Sequence, residues 1–402
     1  MPCCKPTARA PSRLAMTAGT SRSQHMSQQE LLDAHLASLS ATESSRTINT
    51  EYEADGRWLW GHWQNTVLSL TAPRVIITCA QGGLLLALLP QLESAWLQSA
   101  ADGAPRAEEW ESLLSAISTS WNYVLTFATF LLTFFLSQTT AHQNAAYTTI
   151  RQIQGRAHDV NYLLSLHAAR GEEGDYTPEA RELLLDVARY VRLASWFFWA
   201  SRGLPLREGE RSAHANELLT PEGLQRLVHT EHLQQAELAA LLKTAHPPAR
   251  YAWVALEWAG LRAVGGHASG VVGGGAGFET VLLEKLCALR GAIGTVTDLN
   301  SNRMSSAYVA FVQNVIDFLV AASPLALIHT VGTFAVPVSG VITLIYHGLL
   351  ELGKSFLDPF GSRGEYPNES IRIEVLIHEM NEGSMRWMKA AAGRRPWDGV
   401  RE

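Results

Sequence analysis

WNYVLTFATFLLTFFLSQ, residues 121–138, decides how this chain is read. It is the centre of an interval from Ser112 to Ile150 that contains no Asp, Glu, Lys or Arg. A helix in water must turn a polar face outward, and this segment has only hydroxyls and amides to offer. Its length exceeds the roughly 20 residues that carry a helix across a bilayer. Working outward, a second uncharged run, VIITCAQGGLLLALLPQL (Val75 to Leu92), lies between Arg74 and Glu93. A third apolar interval stretches from Met304 to Leu350, where Asp317 is the one charge and Pro324 and Pro337 suggest a division into two helices. Proline removes a backbone donor, so both are natural ends or kinks. These runs predict an all-α membrane protein with four transmembrane helices, at about 75–93, 119–140, 304–324 and 326–350.

Composition agrees. Hydrophobic residues make up 47% and charged residues 17%, against about 25% charge in an average soluble domain. Net charge is −6, with no strongly basic field, so nucleic acid is not expected as a partner. The twelve Trp suit buried sites and membrane interfaces. Cys3, Cys4, Cys79 and Cys287 are too scattered for a disulfide scaffold. Cys79 and Cys287 are read as small buried hydrophobes, and the Cys3-Cys4 pair as a palmitoylation candidate. The first 29 residues carry Lys5, Arg9, Arg13 and Arg22 but no acid. That composition suits an organellar transit peptide or a disordered tail in equal measure.

Residues 141–303 read as an extramembrane helical region. One helix is expected from Pro178. A second, LTPEGLQRLVHTEHLQQAELAALL, starts after Thr220, since threonine followed by proline is a helix-start signal. A third, RYAWVALEWAGLRAV, is expected to close at Gly265-Gly266, and a fourth to run from Phe278. LASWFFWASRG (Leu193 to Gly203) is too short to span; it touches the interface or packs in a core. SGVVGGGAGF (Ser269 to Phe278) follows no strand, so it reads as a connector and not a phosphate loop.

The segment from about Tyr52 to Met385 resembles the bestrophins, pentameric anion channels. The strongest match is AVPVSGVITLIYHGLLELGKSFLDPFG (Ala335 to Gly361), whose Asp-Pro-Phe-Gly closes an apolar helix. Others follow in order: RWLWGHWQ (Arg57 to Gln64), FLLTFFLSQ (Phe130 to Gln138), the Arg-Tyr of ARYVRL, LLTPEGLQRL, RYAWVALEWAGL and SAYVAFVQNV. The resemblance implies a homo-oligomer, a pentamer, with the helical region in the cytosol and the second span lining a central hydrophobic neck. It assigns residues 1–50 to a disordered or targeting N-terminus, 51–385 to the channel domain and 386–402 to a tail. The implied partners are the lipid bilayer, further copies of the chain and small inorganic anions, chloride first and bicarbonate second. The acid-free N-terminus points to a chloroplast membrane, with the plasma membrane as the alternative, in either case for a multi-pass protein.

Neck positions matching the family are Phe127 (or Thr126), Phe130 and Phe134, whose spacing puts them on one helix face. Thr129 and Thr133 keep the helix uncharged and let neighbours approach. The lower aperture matches Met304 and Arg303. Family members hold calcium after the last helix through an acidic run; here DPFGSRGEYPNES offers Asp358 and Glu365 but puts Arg363 in the way. Calcium wants six to eight oxygens, so no cofactor is expected and Asp358 stands as the candidate ligand. The Arg-Trp-Trp cluster of the family is replaced by AHQNAAY, where His142 is a candidate pH-sensitive group. No internal repeat points to a secondary transporter, and no nucleophile elbow or HExxH motif points to an enzyme. A coupled anion transporter and a non-conducting scaffold are the rival functions.

Overall fold

The computed structural model describes residues 67–98, 106–202, 216–301, 304–360 and 371–391. Ten α-helices make up the described fold: α1 (Val67–Gln98), α2 (Arg106–His167), α3 (Pro178–Ser201), α4 (Pro221–His229), α5 (Gln235–Lys243), α6 (Tyr251–Ala268), α7 (Phe278–Ser301), α8 (Ser306–Val331), α9 (Ala335–Phe356) and α10 (Ile373–Ala391). Strand pairing among the described residues is limited to two isolated bridges, Ala168 with Val272 and Arg170 with Tyr176. The N-terminal 50 residues, RWLWGHWQ, Arg303, Arg363 and Glu365 lie outside the described residues.

Three segments are long and apolar enough to cross a membrane: Ser69–Gln98, Glu108–His167 and Ser306–Phe356. The last is two helices, α8 and α9, joined by a 3-10 turn, Gly332–Phe334. They run antiparallel, because Lys354 near the end of α9 hydrogen-bonds Gln313 near the start of α8. The join differs from expectation. Pro324 does not end α8; it sits within it, and the chain turns at Gly332, whose φ of 60° suits glycine. The physical reason is local. Pro324 deprives the Val320 carbonyl of its helical N–H, and the Ser323 hydroxyl donates to that carbonyl at 2.8 Å instead. Pro337 falls in the first turn of α9, where no helical N–H is needed. Pro73 and Pro90 are likewise carried inside α1, which begins eight residues before the expected Val75.

α1 packs antiparallel on α9 by close approach of small groups. A Cβ on Gly340 would stand 2.7 Å from Cys79 Sγ, and one on Gly82 would stand 3.3 Å from Val336. α2 is held to the hairpin by Trp121, whose indole N–H donates to the Leu319 carbonyl at 3.0 Å, and by Phe135, against which Gly353 leaves no room for a Cβ. Ala128, Leu131, Leu132 and Phe135 of α2 form one core with Val312, Ile316, Leu319 and Leu350. The outer faces of these helices remain apolar: Ile76, Ile77, Leu84, Phe318, Val341 and Ile345 are all exposed. Such a belt fits hydrocarbon and not water.

α2 continues unbroken for 62 residues, about 93 Å at 1.5 Å per residue. It therefore links the apolar spans to a second, larger core built on its C-terminal third and on α3, α6, α7 and α10. LASWFFWA belongs to this core: Trp196, Phe197, Phe198 and Trp199 are all buried, so it does not lie at an interface. Thr220 caps α4 as expected, and Thr177 caps α3; each accepts from the backbone N–H three residues on, at 3.2 and 3.3 Å. Two expectations fail here. The helix after Thr220 breaks at Thr230–Gln234, where Glu231 takes a positive φ of 60°, and Gln234 and Glu237 start α5 with a capping box. Gly265 and Gly266 do not stop α6; Gly266 is a notch for Leu183, whose Cδ1 stands 1.9 Å from an added Cβ. Cys287 is exposed and Cys79 half-buried, so neither is the buried thiol expected.

Candidate pore-lining helix

α2 has two unlike faces within the apolar region. Ala128, Leu131, Leu132 and Phe135 are sealed against α8 and α9. On the other side, Phe127, Phe130 and Phe134 are 51%, 71% and 50% exposed, in line with Tyr123 above them at 74%. A periodicity of three and four produces both stripes. The phenylalanines are thus not part of the core behind α2.

The hydroxyls of this helix are turned inward to backbone. Thr126 donates to Asn122 O at 3.0 Å, Thr129 to Leu125 O at 2.7 Å and Thr133 to Thr129 O at 2.8 Å. That leaves the exposed stripe aromatic and hydroxyl-poor. Thr129 also meets Tyr346 Oη of α9 at 2.6 Å, so it ties two helices together.

Asp317 is not a bare acid on a pore wall. Gln313 Nε2 bonds both its oxygens at 2.9 and 2.7 Å, and His347 Nε2 stands 3.4 Å from Oδ1. The network runs on: Arg74 Nη1 lies 2.6 Å from His347 Nδ1 and 3.4 Å from Glu351, and Lys354 Nζ lies 3.0 Å from Glu351. Two cations and two carboxylates balance around the His347 imidazole, and the set joins α1, α8 and α9. Intramembrane charges are tolerated when paired this way. Arg74 and His347 were not singled out from sequence; residues 273 positions apart carry no shared local signal.

Met304 is half-buried at the start of α8, while Arg303 lies outside the described residues. Asp358 is half-buried just past α9, its N–H bonded to Ser355 O at 3.0 Å. No group of three or more His, Cys, Asp or Glu able to hold a metal occurs among the described residues. His142 is half-buried on α2.

No family model matches the chain, and no curated protein matches it. Solved structures do. A bacterial bestrophin homolog from Klebsiella pneumoniae, solved with a single substitution, superposes with a TM-score of 0.56 at 15% identity, covering 79% of this chain and 98% of that one. A second substituted form of it gives 0.58 at 13%, covering 79% and 98%. The form phased from zinc gives 0.54 at 15%, covering 79% and 97%. The chain has a bestrophin-like fold. The match spans nearly the whole bacterial subunit, so the apolar bundle and the helical layer beyond it belong to one bestrophin-like unit.

Proposed function

We propose that the chain is one subunit of an oligomeric, anion-selective channel that passes chloride, with bicarbonate as the second candidate. The carrying observation is the two-faced α2: an uncharged helix commits one side to its own bundle and presents Phe127, Phe130 and Phe134 outward. In a ring of copies, a pentamer by the bestrophin resemblance, each position becomes an aromatic belt. A closed apolar belt strips an ion of water and stops it; a widened one admits water and anions together. Ring edges carry partial positive charge and tolerate an anion. Phe127 is preferred to Thr126 because the Thr126 hydroxyl is turned back to its own helix.

In this arrangement α1, α2, α8 and α9 are the four crossings, and the layer built on α3 to α7 and α10 is cytosolic. Met304 with Arg303 forms the lower aperture, where a cation attracts anions. Pairing of Asp317 supports anion selectivity, since a neutralised carboxylate repels little. The stretch after α9 offers calcium Asp358 and Glu365 but sets the cation Arg363 between them, so gating is proposed without calcium.

Currents across vesicles holding the purified chain test the reading. A reversal potential that follows the chloride gradient supports the channel. Saturable, coupled flux would make the chain a transporter, and no flux would make it a scaffold. Alanine at Phe127, Phe130 and Phe134 together should open the neck; unchanged gating removes the neck assignment.

A further inference from the structure

α3 carries Arg189, Arg192 and Trp196 at spacings of three and four, on one face, toward the break between α4 and α5. Arg189 is fully used. Glu237 takes Nη1 and Nη2 at 2.7 Å each, Asp186 lies at 3.3 Å, and the His232 carbonyl accepts at 3.3 Å. Asp186 is also held by Arg262 at 3.0 Å. The carboxylates of this face are therefore spent.

Beyond Arg189 the balance reverses. Arg192 has no carboxylate and no hydrogen-bond acceptor among the described residues, and the charge that acts on it is another cation. Burial and then Arg189 push its guanidinium below the usual arginine range. Trp196 is 2% exposed, and its indole N–H has no acceptor. The His232 ring meets Trp196 edge-on, with centroids 4.9 Å apart and planes at 75°. Burial, then Arg192 and Arg189, lower the pKa of this imidazole below its ordinary 6.5. The place gathers donors, and the one acceptor it brings, the bare nitrogen of the unprotonated His232 ring, does not take the Trp196 N–H. A buried donor left unmade costs about 1–3 kcal/mol, and a buried cation without a partner costs more.

We propose that Arg192, the Trp196 indole N–H and His232 form a binding site for one small monovalent inorganic anion, of the kind of chloride or nitrate. One positive charge calls for one negative charge. A doubly charged phosphate would bring more charge and more acceptor oxygens than these donors can satisfy. The site lies against the larger core, which holds Trp196, and not in the core behind the phenylalanine stripe, and it does not rest on the channel reading. An anion there ties α3 to the α4–α5 break.

Thermal unfolding of the full chain in detergent tests it, with chloride titrated against gluconate at constant ionic strength. The melting temperature should rise and saturate with chloride in the wild type. The rise should vanish in Arg192→Gln and shrink in Trp196→Phe, which keeps the ring and loses the donor. No rise, or an equal rise in Arg192→Gln, overturns the proposal. Should Arg192→Gln fail to fold, wild-type crystals soaked in bromide decide. An anomalous peak touching Arg192 and Trp196 supports the site, and its absence there overturns it. Either result stands whether or not the chain conducts.

Discussion

At the scale of single residues, exposure separates function from packing among the aromatics. Phe197 is fully buried in the larger core, so Phe197→Ala should cost about 3–5 kcal/mol. Phe130 is 71% exposed, and Phe130→Ala should leave stability within about 0.5 kcal/mol while altering conductance. Thermal unfolding of both variants, set beside vesicle currents, checks the contrast; a large stability loss at Phe130 would place it in a core. Gly353 makes a sharper case. An added Cβ would stand 2.5 Å from Phe135 Cε1, and Phe135 is enclosed on every side. Gly353→Ala should destabilise by about 1–3 kcal/mol, read as a lowered melting temperature, because a ring in a packed core cannot retreat.

Between elements, two contacts outside the spans carry a pH signature. Glu237 of α5 accepts from Arg189 and from Tyr190 Oη of α3, the latter at 2.6 Å. Burial opposes its ionisation, but the Arg189 and Tyr190 hydrogen bonds outweigh burial and hold its carboxyl below the ordinary 4.5. Burial first, then the bond to Glu237, pushes the Tyr190 hydroxyl up to about 12. A depressed carboxyl contributes stability that is present above 4.5 and fades as pH falls through its folded value. Glu237→Gln should cost about 1.5–3 kcal/mol by removing the bidentate charge partner of Arg189 and leaving it Asp186 alone, measurable by denaturant unfolding at neutral pH. It should also remove that acid-side loss.

The second contact docks α10 on α2. His158 fills the notch at Gly383, where an added Cβ would lie 1.9 Å from its Cε1. Burial, then Arg386, lowers its pKa below 6.5; Glu379 and Asp159 oppose this and Arg151 adds to it. A lowered histidine favours the docked state when neutral. Docking is therefore full above 6.5 and weakens as pH falls below it, because the undocked form binds the proton more readily. Protection factors of the α10 amides, with the intrinsic pH dependence of exchange divided out, should be lower at about pH 5.5 than at about pH 7.5; equal protection at both would refute the coupling.

For the whole molecule, the apolar belt and the phenylalanine stripe are surfaces that water does not tolerate, and the proposed ring divides them between lipid and pore. Native mass measurement of purified protein should give a fivefold multiple of the chain; a monomer would remove the shared path. Much of this plan was legible in the residues. The uncharged run around Phe130 announced a spanning helix, because a missing charge over so long a stretch is a solvation statement that needs no partner. The cap at Thr220 was legible for the same reason, being a bond within three residues. What needed the fold were the decisions made between distant segments. Pro324 reads as a helix end until Ser323 supplies the lost donor. Gly266 reads as a helix end until Leu183 fills the notch it leaves. Arg192 looks like any helix arginine until the neighbouring carboxylates are seen to be spent on Arg189. Periodicity and solvation act locally and are written in sequence order. Packing, charge pairing and the choice of which face turns outward depend on what the rest of the chain brings alongside, and tertiary structure alone decides that.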